Sequence, residues 1–182
     1  MARYTSVKAA RQSKRERRCY RCARSIEVGQ PYFTADFKTG RSGFTRDWCA
    51  DHTPRPSEMT QSEYRSAAYA VQESIEDFLS TSGWELQDLV TELESAAESV
   101  RNDIVDALHD SADNFENGGG IAEELEDRAY QFDDWASSLD TAASEVEGLI
   151  EELGDDPSEE ATEEAREAAQ RLADDASMEC PE

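Results

Sequence analysis

Two pairs of metal-ligating residues near the N-terminus constrain the fold more than any other feature. Two residues separate Cys19 from Cys22, and two separate Cys49 from His52. Each pair fits a tight turn that presents two side chains to one ion, and four such ligands complete a tetrahedral site. The spacing therefore predicts a structural zinc ion, since four protein ligands leave no coordination position for a reactive water. Two less favoured alternatives are Cys180 in place of His52, and a thioredoxin-like redox pair at the first two cysteines.

The segment between the two pairs predicts a β-hairpin. Aromatic-rich runs at 32–37 and 44–48 flank the turn-forming sequence KTGRSG. Gly29 and Pro31 stand where the chain must turn from the first pair into the first strand. This order of elements is typical of treble-clef and zinc-ribbon modules, so we predict a zinc-binding module over residues 19–53 whose folding depends on the metal.

The charge of the chain is divided sharply. Residues 1–52 carry 12 basic and five acidic residues, a net charge of +7, whereas residues 53–182 carry 6 basic and 37 acidic residues, a net charge of −31. Residues 1–18 are predicted to be a basic, flexible arm that either binds phosphate backbones or serves as a solubilising tail. The candidate nucleic-acid contacts in the arm and module are Arg11, Lys14, Arg15, Arg17, Arg18, Arg21, Arg24, Arg41 and Arg46.

The acidic part of the chain is predicted to be helical. Capping motifs and apolar periodicity indicate an acidic bundle over 58–153 with helices at about 60–80, 84–115 and 121–153. A further acidic helix is expected at 157–176, followed by a tail at 177–182. Its stripe is almost all alanine, so we expect this helix to be solvated or partner-dependent, with weak docking on the bundle as the alternative.

A repeat of close to seven residues predicts how the two longer helices meet. One row on the first of them contains Leu86, Leu93, Val100 and Ala107, and its companion row contains Val90, Ala97, Ile104 and Ser111. The other helix carries matching rows, Leu125 to Leu153 and Ala129 to Ile150. An antiparallel hairpin would place large residues opposite small ones along this seam. The first helix is expected to pack along the hairpin, giving a three-helix bundle.

Several classes of function are disfavoured by what the sequence lacks. No stretch approaches the ~18 apolar residues of a membrane span, and the N-terminus lacks the apolar segment of a signal peptide, so a cytoplasmic location is expected. With His52 engaged by metal, His109 is the only other histidine, so the histidines of an HNH-type nuclease are missing. No nucleophile has a supporting acid–base set. We therefore expect a protein that is not an enzyme.

Part of the chain resembles a set of short zinc-module proteins from tailed viruses of actinobacteria and haloarchaea. The resemblance covers residues 19 to about 80 and depends on CYRCARSIEVGQPY, CADH and PRPSEMTQS followed by a long helix. It implies a viral origin, a location in the host cytoplasm, and a zinc ion held by Cys19, Cys22, Cys49 and His52. The acidic composition, with 15 arginines and only three lysines, is also typical of proteins from salt-loving organisms.

Three functions follow from these features. The first is an adaptor in which the zinc module presents a recognition surface and the helical body binds a protein partner or a second copy. The second is a nucleic-acid-binding viral regulator that uses the basic arm and the module. The third is DNA mimicry, in which the acidic body occupies a nucleic-acid-binding protein of the host.

Overall fold

The computed structural model describes residues 4–7, 15–39, 42–115 and 120–181. The chain divides into two compact units, Met1–Ser66 and Ala67–Glu182. The first unit contains the four predicted metal ligands and two small antiparallel sheets, and the second unit is helical. The predicted fold class, mainly α with a small β-hairpin module, is confirmed.

The predicted hairpin forms the centre of the first unit. Strand β4 (Tyr32–Thr39) pairs antiparallel with β5 (Ser42–Cys49), from Tyr32 opposite Cys49 to Thr39 opposite Ser42. Residues 40 and 41 of the predicted turn lie outside the described residues. Because the register places Tyr32 opposite Cys49, the second ligand pair begins where the sheet ends.

Three shorter strands complete the sheets. Strand β1 (Tyr4–Val7) pairs with β4, while β2 (Arg17–Arg18) pairs with β3 (Ser25–Ile26). The structure therefore differs from the predicted flexible arm at residues 4–7 and 17–18. The physical reason is that β4 has a second edge of unpaired backbone groups, and the sequence YTSV suits a strand. The arm residues 1–3 and 8–14 lie outside the described part of the chain.

The core of the first unit is small and includes two of the cysteines. Trp48 is fully buried at its centre, and Met59 reaches it from a 3₁₀ turn, Pro56–Met59. The cluster of buried side chains consists of Cys19, Ile26, Tyr32, Ala35, Phe37, Trp48, Cys49 and Met59. So few apolar groups give limited stabilisation by burial alone, which is the usual situation for a module held by a metal.

The helices follow the predicted order with small shifts at their starts. Their bounds are α1 Glu63–Ser80, α2 Leu86–Val100, α3 Asp106–Asp113, α4 Ile121–Leu153 and α5 Glu159–Met178. The bounds of α4 match the prediction. Helices α1, α2 and α5 begin two or three residues later than predicted, because Ser62, Glu85 and Ser158 cap their first turns.

A π-helical turn interrupts the predicted helix 84–115. Residues Arg101–Val105 form this turn between α2 and α3. Before it, the predicted seam positions Val90, Leu93, Ala97 and Val100 are buried against α4. After it the seam prediction is wrong, since Ala107 is exposed and Ser111 half-exposed. Leu108 and Ala112 are buried instead, because a π turn adds one residue and moves the apolar row by one position.

Helix α5 packs along α4, so the expectation of a solvated or partner-dependent helix is wrong and the alternative, that it docks on the bundle, describes the structure. Its alanine stripe is buried, and Ser177 at its end is buried as well. The indole N–H of Trp135 on α4 donates a 2.9 Å hydrogen bond to the Ala176 carbonyl. Small side chains allow the two helix backbones to approach closely, so a weakly apolar helix still buries its stripe. The buried alanines of this stripe are Ala165, Ala169, Ala173 and Ala176.

Helix α1 contributes Ala68, Val71 and Ile75 to the buried set of the second unit. Ser74 donates a 2.5 Å hydrogen bond to Glu92 on α2, and Gln72 donates to the Ser177 carbonyl at the end of α5. In the second unit, α4 thus contacts several other helices. The unit contains more helices than the three predicted for the bundle. Among the described residues, no helix is long and apolar enough to cross a membrane.

The π turn leads to a test by deletion. Removing Asn102, whose side chain is exposed, should convert the turn into regular α-helix while leaving Leu108 and Ala112 on the seam. We expect the free energy of unfolding to change by less than about 1 kcal/mol, measured by urea denaturation.

Deletion of Glu94, an exposed residue within α2, is the matched control. It should rotate Leu89, Val90 and Leu93 off the seam, because no extra residue is present there to absorb the loss. A decrease of more than about 3 kcal/mol is expected. Equal decreases in the free energy of unfolding for the two deletions would show that the π turn is not what shifts the seam.

Candidate metal centre

The two predicted ligand pairs come together at the edge of the first unit's core. One potential ligand atom from each of Cys19, Cys22, Cys49 and His52 lies within 4.8 Å of the other three. The Nδ1 atom of His52 lies 3.5 Å from the Cys19 sulfur and 3.3 Å from the Cys49 sulfur. Tetrahedral zinc, with bonds of about 2.3 Å to sulfur and about 2.0–2.1 Å to nitrogen, holds such atoms about 3.5 Å apart. The four residues therefore fit a zinc ion.

The first ligand pair lies on the loop of the short β2–β3 hairpin. Within this loop the Cys19 amide donates to the Arg24 carbonyl, and the Ala23 amide donates to the Cys19 carbonyl, both at 2.9 Å. Ala23 has a φ of 57°, in the left-handed region that residues with a Cβ rarely adopt. The tight turn that aims both cysteines at one point thus includes a strained residue.

The second pair is placed by the end of β5. The His52 amide donates a 3.0 Å hydrogen bond to the Cys49 carbonyl, which closes the turn between these two ligands. The Tyr20 amide donates at 2.7 Å to the Asp47 carbonyl on β5. This bond joins the first ligand loop to the strand that carries the second pair, so backbone pairing alone places both turns next to each other.

The two buried cysteines have different proton affinities. Burial opposes ionisation of Cys19, but hydrogen bonds from the backbone of Cys22 and Cys49 and from the His52 side chain outweigh it and lower the pKa of this thiol to about 6. Burial, together with the nearby Cys19, raises the pKa of the Cys49 thiol. Since zinc binds thiolates, Cys19 is prepared for the metal and Cys49 must release its proton on binding.

The fourth member of the cluster is His52 and not Cys180, since His52 lies with the three cysteines Cys19, Cys22 and Cys49. Cys180 is half-buried beyond α5, and burial raises the pKa of its thiol to about 11. The redox alternative also lacks its structural context, since the Cys19–Cys22 loop joins two antiparallel strands and not a strand and a helix.

Three of the predicted nucleic-acid contacts are used inside the first unit. Arg17 donates to both carboxylate oxygens of Asp47 at 2.8 Å, and its guanidinium lies 4.9 Å from the centre of the Tyr32 ring. The hydrogen bond to Asp47 outweighs the opposing effect of burial and raises the pKa of Arg17. Thr34 donates to the same carboxylate at 2.7 Å. Asp47 is therefore the acceptor that holds Arg17 against the sheet.

Glu58 plays a similar part for Arg21 and Arg46. Arg21 donates to both Glu58 carboxylate oxygens, at 2.9 and 2.6 Å, while Arg46 donates to the Glu58 carbonyl. The Arg46 guanidinium also lies 4.6 Å from the ring centres of Tyr20 and Phe37. Burial alone would raise the pKa of Glu58, but the bonds from Arg21 and the Arg55 amide lower it. The buried indole N–H of Trp48 approaches this carboxylate without reaching hydrogen-bond geometry.

The remaining predicted basic contacts are exposed or lie outside the described residues. Arg15, Arg18 and Arg24 are exposed, although Arg18 donates to the Ala23 carbonyl and Arg24 lies 3.3 Å from Asp51. Arg11, Lys14 and Arg41 fall outside the described part of the chain. The structure therefore brings the four potential metal ligands together, while three of the six basic residues that it describes are bound within the first unit.

Two residues that accept hydrogen bonds beside the potential ligands, Asp47 and Glu58, were not among the predicted residues. The signal that could have found Asp47 is its acidic charge in a strongly basic segment next to a ligand pair. Glu58 gave no such signal, because it stands at the start of a segment rich in acids.

Comparison of the chain with protein-family models, with curated protein sequences and with solved structures gives no match. The resemblance to viral zinc-module proteins therefore stays a prediction, and the evidence for function is the site itself.

The strained Ala23 leads to a test of the ligand loop. Ala23→Gly should remove the cost of the left-handed conformation, about 1–2 kcal/mol, at the smaller cost of glycine's greater freedom in the unfolded chain. We expect the metal-loaded first unit to gain up to about 1 kcal/mol in unfolding free energy, measured by hydrogen–deuterium exchange of the β4 and β5 amides.

Ala50→Gly is the matched control, because Ala50 is the exposed residue after Cys49 in the second ligand turn and has no positive φ. This substitution should destabilise the unit slightly, by about 0.4–1 kcal/mol. A similar decrease in the stability of the first unit for both variants would contradict the strain assigned to Ala23.

Proposed function

We propose that this chain is a non-enzymatic adaptor in which a structural zinc ion stabilises the first unit and the acidic helical unit binds a protein partner or a further copy. The observation that carries the proposal is the closed set of four ligand atoms within 4.8 Å of one another. The ion would supply a crosslink between the ligand loop and the end of β5. Four protein ligands favour this structural role over a catalytic one.

Burial supports the structural role of the metal. Cys19 and Cys49 belong to the same buried cluster as Trp48, so their sulfurs are part of the core. Cys22 is exposed and His52 half-buried, which places the cluster at the border between core and solvent. A core with two thiols and few large apolar groups gains most of its folding free energy from metal binding, about 10–16 kcal/mol in small zinc modules.

The side-chain contacts favour the adaptor over a nucleic-acid-binding regulator. Arg17, Arg21 and Arg46 already donate to acidic or carbonyl groups of the first unit. Phosphate binding would have to compete with these bonds, and a cation already paired releases fewer counterions when it meets a phosphate. A viral origin and a salt-rich environment are further parts of the proposal, supported by the resemblance and by the composition.

Metal content tests the zinc site directly. Protein purified without added metal is expected to contain one zinc ion per chain by mass spectrometry. Cys49→Ser should reduce this content and unfold the first unit, because a buried ligand is lost, whereas Cys180→Ser should change neither. A zinc content well below one per chain, or equal folding of the two variants, would refute the structural site.

Salt dependence tests the role of the acidic composition. Residues 53–182 contain six basic residues for 37 acids, so most carboxylates there can have no cationic partner. Potassium chloride should screen this repulsion, and we expect the melting temperature of residues 67–182 within the full chain to rise by about 5 °C or more between 0.1 and ~2 M salt. A flat dependence would argue against a salt-rich environment.

DNA binding separates the adaptor from its alternatives. Zinc-loaded protein is expected to shift neither duplex nor single-stranded DNA in a gel at 0.15 M salt, close to physiological ionic strength. A shift that disappears when residues 1–18 are deleted would favour the regulator. Competition between the full chain and DNA for a DNA-binding protein, with no direct shift, would favour mimicry instead.

A further inference from the structure

The connector, residues 53–62, links the second ligand pair to α1 and is attached to the first ligand loop. Its 3₁₀ turn Pro56–Met59 places Met59 in the core of the first unit. Pro54, one residue after Thr53, is also buried. The connector is therefore packed against the module although it contains few apolar residues.

The strongest attachment is the ion pair between Arg21 and Glu58. Arg21 lies between Cys19 and Cys22 in the sequence, so its backbone is part of the loop that carries two ligands. Its side chain meets both Glu58 oxygens and also donates to the Thr53 carbonyl at 2.9 Å. The Arg21 and Glu58 side chains are only 27% and 12% exposed. A bidentate, largely buried pair of this kind is much stronger than an exposed one.

Further bonds extend this attachment along the connector. The Glu58 carboxylate accepts from the Arg55 amide at 3.0 Å, which closes the 3₁₀ turn. The hydroxyl of Ser66, in the first turn of α1, donates to the Ser57 carbonyl at 2.7 Å. A continuous series of contacts therefore runs from the ligand loop through Glu58 to the beginning of α1, all within the first unit.

We propose that zinc binding fastens the connector through the Arg21–Glu58 pair, so that loss of the metal releases the 3₁₀ turn and the first turn of α1. The proposal rests on the metal site proposed above and extends it, because it gives the ion a second effect outside its own ligand loop. The first turn of α1, which belongs to the first unit, is then held in a metal-dependent way.

The ligand loop that carries Arg21 is held by three backbone hydrogen bonds, donated by the amides of Cys19, Tyr20 and Ala23, and it contains the strained Ala23. A zinc ion would add a link between the sulfurs of Cys19 and Cys22, on either side of Arg21. By thermodynamic linkage, if the metal strengthens the Arg21–Glu58 pair, then the pair must strengthen metal binding by the same factor.

The test is hydrogen–deuterium exchange of the full chain, with and without zinc, for wild type and Arg21→Gln. In the zinc-loaded Arg21→Gln variant, amides of residues 55–66 should exchange about tenfold faster than in wild type, while those of β4 and β5 keep their protection. Removing zinc should accelerate exchange across the whole first unit in both proteins, so the comparison of the zinc-loaded proteins is the one that isolates the Arg21–Glu58 pair. Competition with a chromophoric chelator should show a zinc affinity lowered by about the same tenfold.

Arg24→Gln is the matched control. Arg24 lies two residues after Cys22 and pairs with Asp51, one residue before His52, but this pair is long and its side chains are 69% and 73% exposed. Its loss should change neither connector exchange nor zinc affinity. Glu58→Gln provides the second variant and should reproduce the effect of Arg21→Gln from the other side of the pair.

The outcomes separate the two proposals. Absence of zinc from the wild-type chain overturns the metal site and the fastened connector together. Normal zinc content with unchanged connector exchange in Arg21→Gln and Glu58→Gln overturns the connector proposal alone. Loss of protection across β4 and β5 in both variants also overturns it, since the pair would then support the whole unit rather than the connector.

Discussion

The first unit depends on the meeting of two turns, one from the β2–β3 loop and one from the end of β5. The hydrogen bond from the Tyr20 amide to the Asp47 carbonyl brings them together, and the ligand atoms then lie within 4.8 Å of each other. Everything else in this unit is arranged around that meeting point. The small core includes two of these ligand residues, and the connector follows the second ligand pair in the sequence.

Three arginines of this unit, Arg17, Arg21 and Arg46, make bonds that hold the unit together. A basic segment invites a nucleic-acid interpretation, yet Asp47 and Glu58 accept bonds from three of its guanidinium groups. Paired and partly buried, these groups join elements that share few apolar contacts. Net charge therefore describes this segment poorly, because the distribution of acceptors decides which cations face solvent.

The sequence was sufficient for some features and insufficient for others, for physical reasons. Ligand spacing is a local property, as is the alternation of a hairpin, so Cys19, Cys22, Cys49 and His52 and strands β4 and β5 could be predicted. The long apolar rows of α4 were equally clear. Strand β1 could not be predicted, because its pairing depends on an edge of β4 that exists only after the hairpin has formed.

Tertiary packing also determines the burial of α5 and the positions that form the seam beyond Val100. An alanine stripe does not by itself predict burial, since the stabilisation it gives depends on how closely another backbone can approach. Here Trp135 on α4 forms a hydrogen bond with the backbone of this helix. The pairs Arg17–Asp47 and Arg21–Glu58 join residues 30 and 37 positions apart. No local pattern selects one acid among 42 as the partner of a given arginine.

The π turn at Arg101–Val105 has a consequence for how chains of this type can be compared. A single inserted residue normally rotates everything after it by about 100° around the helix axis, which would destroy a seam. Here the π turn accommodates the extra residue within one turn. The apolar row therefore continues after it, with its positions shifted by one residue. Related chains could thus differ in length by one residue at this place, and their alignment should put the gap there rather than in a loop.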